Sequence, residues 1–519
     1  MLSRSRRLKI VHRQVLANHF GAFTKSWNRQ FNTKSFFANN EHKSHQDTGS
    51  ESTFSNHPKV ALISTITIAL SILLYKQTTP LLKNESVITK HAKIIIIQDS
   101  DNEDEDDAID VEDSNDPLNF AAQDEIRRQK AIANKPPLNT IFNINDFEYV
   151  AQQILPLQFK GYFATGSEDE VTLRENHHAY SRIFFKPRCL VNVADVSLSV
   201  SPFSGDSGDS IWTFDAPFYI TAFAGARGAH EDAELNLIRA AKKHNVAYMI
   251  PSMSSFPIDE VIEAGRLDDG LETQCHHASY LQMYLSTKEE LNDFPDYLKK
   301  LQVKHDSIKA VFITVDLPVL GNREKNFKYM ALADPSSFDE PVDWTIDQTE
   351  NPPLTWDDIV TFKNATKLPI CVKGLQCKED VAKAIELGLD GCVISNHGGR
   401  QLDFSRAPVE VLVETQKYLK EKNISLVNPG TNKKFEIFID GGVKRGSDVI
   451  KALCLGASGV GLGRPFIYSM AGYGQPGVER AIKILKTEMI RDMKLLGVKS
   501  IDELNEDFVD IDSLKYKNP

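Results

Sequence analysis

The chain has 519 residues, of which 41% are hydrophobic and 25% are charged, and its formal net charge is −11. These values are typical of a globular protein with a sizeable core, and the lack of a basic patch argues against a nucleic-acid partner. The 6 cysteines form no C-x-x-C pair, so neither a disulfide framework nor a metal site is predicted.

Residues 1–58 have the composition of a targeting segment. Residues 1–40 contain eight Lys or Arg and no acidic residue, which is typical of a mitochondrial address, although a generic basic tail shares this composition. Residues 60–75 are uncharged and lie between Lys59 and Lys76. We predict a transmembrane or sorting segment over 59–76, with a buried helix as the alternative, although a relaxed span needs about 20 residues. Both segments together predict a protein tethered to the mitochondrial inner membrane and facing the intermembrane space.

Residues 77–140 are predicted to be an acidic, disordered linker. Within it, residues 99–116 contain eleven Asp or Glu and no basic residue. A block of like charge repels itself and cannot bury a core. A docking strip for a basic partner is the alternative interpretation.

From residue 141 to 519, short apolar runs alternate with helical patterns. Stretches such as KEDVAKAIELG have apolar residues at three- and four-residue spacing, which indicates helices between the runs. Eight strand-then-helix units in about 250 residues predict an α/β fold, a (β/α)8 TIM barrel. Residues 321–355 lack a strand signal and are predicted to be a mobile insertion that serves as a lid. The eight runs begin at Ala216, Ala247, Ser279, Ala310, Leu368, Gly391, Phe435 and Gly459.

Polar residues stand at or just beyond the end of these runs, which is the end of a barrel where active sites lie. Packing would account for one polar residue at a strand end, but not for a whole set in the same position. The set comprises Thr221, Gln282, Tyr284, Asp316, Lys373, His397, Asp440 and Arg464.

The loops after the last two runs, DGGVKRG and GLGRP, offer glycine N–H groups together with Lys444, Arg445 and Arg464. Barrels commonly bind phosphate at these loops, so a phosphorylated cofactor is predicted. Lys373 could then face negative charge that develops on the ring of that cofactor.

Four side chains, two of them from this strand-end set, suit proton abstraction from a small acid. Asp316, in ITVDLP, could raise the pKa of His397 and stabilise its imidazolium, which would make His397 a base. Arg323 and Arg400 could bind a carboxylate through paired donors, although Arg323 could also form a surface ion pair. A base, a carboxylate clamp and a phosphorylated cofactor predict removal of a proton from a small acid.

The motifs SNHGGRQLD, GYFATGSEDEVTLREN, ITVDLPVLGNRE and CVKG, with IDGGVKRG and GVGLGRP, resemble the FMN-dependent L-2-hydroxy acid oxidase/dehydrogenase family. The likeness runs from about Ile141 to the C-terminus. SRAPVEVL and LLGVKSIDEL are most similar to the flavin part of the mitochondrial flavocytochromes that oxidise L-lactate. The resemblance implies FMN as the cofactor, L-lactate as the expected substrate, and a homotetramer. The hydrogen on the substrate carbon then leaves either as hydride or after carbanion formation.

The resemblance also implies a role for each matching residue. The catalytic and substrate-binding set has His397 as the base, Asp316 as its partner, Arg323, Arg400 and Tyr162 at the carboxylate, and Tyr284 at the hydroxyl. The FMN-binding set comprises Thr221, Ala222, Gln282, Thr314, Lys373, Asp440, Gly441, Gly442, Lys444, Gly463 and Arg464.

The chain departs from the family pattern at three places. Pro251 replaces the usual flavin-contacting serine and lacks both a hydroxyl and an N–H group, and the neighbouring Ser252 is a candidate substitute. Lys444 replaces an arginine at the phosphate, which keeps the charge but loses the paired donors. The His-Pro-Gly-Gly motif of the cytochrome b haem domain is absent, so we expect a haem-free protein.

The resulting hypothesis is a membrane-tethered FMN enzyme that passes electrons to an external acceptor, which is oxygen, a quinone or a separate haem protein. Two alternatives stay open. One is a catalytically drifted barrel that acts as a scaffold or binding protein, and the other is a barrel that uses FMN for a different reaction.

Overall fold

A computed structural model describes residues 117–203, 212–266, 276–334, 354–428 and 432–515. The predicted targeting segment 1–58, the predicted membrane segment 59–76 and the acidic block 99–116 lie outside these ranges. Among the described residues, no helix is both long and apolar enough to cross a membrane. In the same ranges, no cluster of His, Cys, Asp or Glu could hold a metal ion.

Eight parallel strands form one closed sheet, which confirms the predicted barrel. In the order β1-β8-β7-β6-β5-β4-β3-β2, neighbouring strands are hydrogen-bonded. A parallel bridge between Ile220 and Tyr248 joins β1 to β2 and closes the sheet. Each predicted apolar run contains one strand. The strands are β1 (Phe218–Ile220), β2 (Met249–Pro251), β3 (Ser279–Met283), β4 (Ile308–Thr314), β5 (Ile370–Leu375), β6 (Gly391–Ile394), β7 (Glu436–Asp440) and β8 (Gly459–Leu462).

Aromatic side chains fill the interior of the barrel. Tyr219, Tyr280, Phe312 and Phe438 come from four strands and are all buried. The ring centroids of Tyr280 and Phe312 are 5.2 Å apart, and those of Tyr219 and Phe438 are 5.8 Å apart. Because alternate strand residues point to opposite sides of a sheet, the residues between them pack outward against the helices. The barrel is therefore a packed core, and any ligand site must lie at one of its ends.

Helices surround the barrel and precede it. The last helix changes direction at Tyr473 and Gly474. The helices are α1 (Pro117–Ala133), α2 (Ile144–Ile154), α3 (Leu157–Ala164), α4 (Val171–Ser181), α5 (Ala233–His244), α6 (Ile258–Ala264), α7 (Lys288–Lys304), α8 (Glu324–Ala333), α9 (Trp356–Ala365), α10 (Lys378–Glu386), α11 (Pro408–Glu421), α12 (Gly446–Cys454) and α13 (Arg464–Leu496).

Helix α1 lies within the segment that we predicted to be a disordered linker. It packs against α2 and α8. Arg127 donates a hydrogen bond of 2.9 Å to Gln153, and Arg128 donates one of 3.2 Å to the Ile154 carbonyl, so two side chains join α1 to α2. The acidic block dominated the composition of residues 77–140 and concealed the helical signal after it. The predicted disorder therefore does not extend to α1.

The predicted insertion at 321–355 contains structure at both ends. Helix α8 occupies Glu324–Ala333, and α9 begins at Trp356 after a capping box between Thr355 and Asp358. The part between them, residues 335–353, lies outside the described ranges. The predicted lid therefore stays a prediction. Helix α8 packs against α3 beside the barrel, which places Arg323 and Tyr162 on neighbouring elements.

Candidate active site

A histidine and an aspartate meet at the C-terminal end of the barrel. The imidazole Nδ1 of His397, after β6, lies 3.1 Å from a carboxylate oxygen of Asp316, after β4. His397 has a φ of +58°, which is uncommon for a residue other than glycine. The hydroxyl of Ser395 accepts a hydrogen bond of 3.1 Å from the His397 backbone N–H and stabilises this conformation. The turn therefore aims the imidazole back at β4.

The surroundings of this pair keep the imidazole neutral. Burial lowers the pKa of His397 and outweighs the opposite effect of the Asp316 carboxylate. The expected effect of Asp316 is present, since its carboxylate raises this pKa, but burial has the larger effect and the net shift is downward. For Asp316, burial favours a higher pKa, but the neighbouring imidazole and Lys373 hold it below its usual value. Since Nδ1 faces a carboxylate, we infer that Nδ1 carries the proton and that Nε2 can accept one.

Lys373 is a buried cation that is paired with a carboxylate. Its ammonium lies 3.4 Å from an Asp440 carboxylate oxygen and 3.4 Å from the Ser395 hydroxyl. Burial alone would lower the pKa of Lys373, but Asp440 and Asp316 raise it above its usual value. Lys373 therefore stays charged in β5, the strand in which the sequence placed it.

Two guanidinium groups lie beside the histidine. Arg323 donates through Nε to the Arg400 carbonyl oxygen at 3.1 Å. The Arg400 guanidinium lies 4.6 Å from the centre of the Tyr162 ring and donates to the Tyr162 carbonyl oxygen. Burial lowers the pKa of both arginines, and Arg323 lowers that of Arg400 further. In the described part of the chain, no carboxylate forms an ion pair with either group, so the pair suits an anion from outside.

Strands β2, β3 and β4 are linked at their ends by side-chain hydrogen bonds. The Gln282 amide donates to the Thr314 hydroxyl at 2.9 Å and accepts from the Ser252 N–H at 3.3 Å. The Ser252 hydroxyl accepts from the Tyr284 N–H at 3.2 Å. Pro251 ends β2 in register with Gln282. The hydroxyl next to Pro251 thus joins two strand ends.

The C-terminal end of the barrel, called the mouth below, contains buried polar atoms that lack a hydrogen-bond partner. Among the described residues, Thr221 Oγ1, Asp316 Oδ2 and Asp440 Oδ1 are buried without a hydrogen-bond partner. Buried oxygen atoms are rarely left unpaired, so these atoms indicate a polar ligand. Ala222 and Gly463 lie beside Thr221 at the ends of the first and last strands. Because carboxylate oxygens accept hydrogen bonds, this arrangement fits a ligand that carries N–H or O–H donors.

The predicted phosphate residues have different surroundings. Arg464 donates to the carbonyl oxygens of Phe163, Thr165 and Gly398 at 2.9, 3.0 and 2.9 Å, which keeps it at the mouth. Lys444 instead pairs with Glu148 of α2, with 2.7 Å between Nζ and the carboxylate. The sequence therefore placed Arg464 correctly at the mouth but did not reveal the acidic partner of Lys444.

Sequence reasoning missed three supporting residues. Ser395 and Gln401 stand within the motif SNHGGRQLD, and both are buried. Their position next to His397 and Arg400 was the available signal. Asn176, in α4, exchanges hydrogen bonds of 2.8 and 2.6 Å with Asn396, but the two residues are far apart in the sequence and no local pattern links them.

Comparison with known proteins gives a consistent match. A family model described as FMN-dependent dehydrogenase matches residues 151–511. An L-lactate dehydrogenase (cytochrome) from Wickerhamomyces anomalus is 43% identical over 76% of this chain and 65% of its own length. A peroxisomal (S)-2-hydroxyacid oxidase from Arabidopsis thaliana is 33% identical over 73% of this chain and 99% of its own length.

A solved structure agrees with these matches. The flavin-binding domain of baker's yeast flavocytochrome b2 is 42% identical, with a TM-score of 0.66, and the match covers 76% of this chain and 94% of that domain. The chain spans 65% of the length of the curated lactate dehydrogenases that it matches.

We predict that Gly442 is essential to the loop after β7. Gly442 has a φ of +79°, and a Cβ atom there would lie 2.1 Å from the Asn176 carbonyl oxygen. Gly442→Ala should lower the free energy of unfolding by more than about 3 kcal/mol, because the clash adds to a left-handed cost of about 1–2 kcal/mol. Urea denaturation measures this change.

Gly388→Ala is the matched control. Gly388 has a φ of +71° but no atom within 4 Å of the added Cβ, so only the conformational cost should appear. Equal losses in the two variants would contradict the predicted clash.

Proposed function

Because the chain belongs to the FMN-dependent dehydrogenase family, we propose that it oxidises an L-2-hydroxy acid, with L-lactate as the expected substrate, to the 2-keto acid. The observation that carries this proposal is the neutral His397, paired with Asp316 at 3.1 Å, beside two guanidinium groups. A base next to an anion site suits a substrate that carries both a hydroxyl and a carboxylate.

The residues at the mouth would hold FMN, which when bound accepts the two electrons that leave the substrate carbon. Support comes from the unpaired oxygens of Thr221 and Asp440 and from the buried charge of Lys373. Lys373 would stabilise negative charge on the ring, and Arg464 would neutralise the phosphate. The proposed FMN-binding set is Thr221, Ala222, Gln282, Thr314, Lys373, Asp440, Gly441, Gly442, Lys444, Gly463 and Arg464.

His397 acts as the base in this proposal. Its Nε2 takes the proton of the substrate hydroxyl, and the Asp316 carboxylate stabilises the imidazolium that forms. Asp316 is suited to this role because its own pKa is held low, so it stays ionised while His397 gains a proton.

The two arginines orient the substrate. Arg323 and Arg400 would each donate to the substrate carboxylate, which offsets their mutual repulsion. Tyr162 would add a hydrogen bond to the carboxylate, and Tyr284 would bond the hydroxyl. Tyr162 is placed for this role because its ring lies against the Arg400 guanidinium.

The choice of substrate and of electron acceptor is supported by the similar proteins. The L-lactate dehydrogenase (cytochrome) match supports lactate as the substrate and a cytochrome as the external acceptor. The (S)-2-hydroxyacid oxidase match supports the second candidate, in which oxygen is the acceptor. The homotetramer implied by the resemblance remains a prediction that light scattering can check.

Anaerobic reduction of the flavin tests the proposed activity. Purified full-length protein with FMN bound should lose its visible flavin absorbance when L-lactate is added without oxygen. His397→Gln should keep the flavin and lower turnover by about 10²–10⁴-fold, because a positioned base contributes that much. Absorbance and stopped-flow kinetics give both results.

Other outcomes decide between the alternatives. Flavin that stays oxidised with lactate, glycolate and longer 2-hydroxy acids would favour the scaffold protein. Fast recovery of colour in air, without a haem protein or quinone, would identify an oxidase. Near-normal turnover of His397→Gln would exclude His397 as the base.

The pH dependence follows from the direction of the His397 pKa. His397 must be neutral to act, and its pKa lies below the usual value of 6.5, so kcat/KM should reach its plateau at a lower pH than an ordinary imidazole would give. It should then fall about tenfold per pH unit once the pH passes below the folded pKa. Asp316→Asn should move this midpoint lower still, because the carboxylate opposes the effect of burial. A midpoint above 6.5 would show that Asp316 outweighs burial.

We also propose a mitochondrial location, with a tether through residues 60–75 and the barrel facing the intermembrane space. The acid-free first 40 residues and the uncharged stretch support this proposal. Full-length protein expressed in yeast should remain with membranes in alkaline carbonate and become sensitive to protease once the outer membrane is opened. Deletion of residues 1–58 should abolish import. A carbonate-soluble, protease-resistant protein in the matrix would refute the proposed tether.

A further inference from the structure

We propose that Gln401 is a positioning residue that holds Arg323 for the substrate carboxylate and holds the loop after β4 against the loop after β6. This inference rests on the proposed function, since it assigns a support to the carboxylate site. Gln401 lies next to Arg400 in sequence and is 7% exposed.

The carboxamide of Gln401 makes four hydrogen bonds to the loop after β4. Its Nε2 donates to the carbonyl oxygens of Asp316 and Val319, both at 2.8 Å. Its Oε1 accepts from the Gly321 N–H at 3.0 Å and from the Arg323 Nη2 at 3.2 Å. One side chain thus contacts both the residue that pairs with His397 and the arginine of the carboxylate site.

These bonds use the whole capacity of a primary amide, which has two N–H donors and two acceptor lone pairs. The orientation of the Gln401 amide is unambiguous. If its oxygen and nitrogen were exchanged, its N–H groups would face the two N–H donors and its oxygen would face the two carbonyl oxygens. A carboxylate could accept from Arg323 but could not donate to the two carbonyl oxygens. An aliphatic side chain could make none of the four bonds. Only a carboxamide of this length satisfies all of the partners.

The two loops also approach each other closely at this point. A Cβ atom at Gly321 would lie 2.4 Å from the Arg400 carbonyl oxygen. Arg323 donates to that same carbonyl, at 3.1 Å. Arg323 is therefore held on two sides, by the Arg400 backbone and by the Gln401 amide, and neither contact neutralises its charge. The guanidinium is fixed in place while its charge stays available to a substrate carboxylate.

Gln401→Glu provides the sharpest test. When ionised, the introduced carboxylate would pair with Arg323 and compete with the substrate. When protonated, the carboxyl group has the shape of the amide and can donate one hydrogen bond through its O–H. We expect KM for L-lactate and the Kd for pyruvate to rise about 100-fold at pH 8, with kcat changed by less than about threefold, because carboxylate binding is common to ground and transition states.

The pH profile distinguishes positioning from a general structural defect. The ratio of variant to unmodified Kd for pyruvate should shrink as the pH falls and the introduced carboxyl gains a proton. Using the ratio removes the contribution of His397. Gln401→Met, which cannot titrate, should weaken pyruvate binding about equally at every pH. Pyruvamide, which lacks the carboxylate, should bind the variants and the unmodified protein alike.

Gln416→Glu is the matched control. Gln416 lies on α11 and donates to the Gly456 carbonyl at 3.3 Å, in the connection that leads into β8 at the opposite end of the barrel. The same chemical change there should leave KM and the Kd for pyruvate unchanged.

Several outcomes would overturn the proposal. The first is that both Gln401 variants bind pyruvate as the unmodified protein does. The second is that they lose pyruvate and pyruvamide binding equally. The third is that both variants lose FMN or show no cooperative thermal unfolding. Failure of the proposed function is distinguishable, because it appears as flavin that no hydroxy acid reduces while pyruvate binding still reports on Gln401. An unmodified protein that binds no pyruvate would overturn both proposals.

Discussion

The site depends on one contact between two loops, in which Asp316 after β4 meets His397 after β6 at 3.1 Å. The residues are 81 positions apart in sequence, and β5 lies between their strands in the sheet. A closed barrel can hold such a contact because its strand ends are fixed by the packed aromatic interior. The left-handed turn at His397 then directs the imidazole across β5, and Ser395 stabilises that turn through its hydroxyl.

The charges at the mouth are arranged for anions. Asp440 neutralises much of the charge on Lys373, whereas no carboxylate in the described ranges pairs with Arg323 or Arg400. Burying these two cations costs stability, and their lowered pKa values express that cost, to which Arg323 adds at Arg400. Proteins tolerate this kind of cost at functional sites, where a bound anion offsets it. The proposed substrate carboxylate would supply that anion.

Much of this arrangement could be predicted from the sequence, because the strands and their polar ends are local patterns. Apolar runs identified all eight strands, and the positions of Asp316, Lys373 and His397 at strand ends placed them at one mouth. The pKa direction of His397 could not be predicted, since it depends on the balance between burial and one carboxylate. The pairing of Lys444 with Glu148 and that of Asn176 with Asn396 were also missed, because each joins elements that are distant in the chain. Helix α1 was missed because the acidic residues before it dominated the local composition.

The most direct test is a crystal structure of the full protein with FMN and pyruvate bound. We expect the pyruvate carboxylate to accept hydrogen bonds from both Arg323 and Arg400, and the keto oxygen to lie within hydrogen-bond distance of His397 Nε2. A pyruvate carboxylate that contacts neither guanidinium, or a keto oxygen that points away from His397, would contradict the central claim.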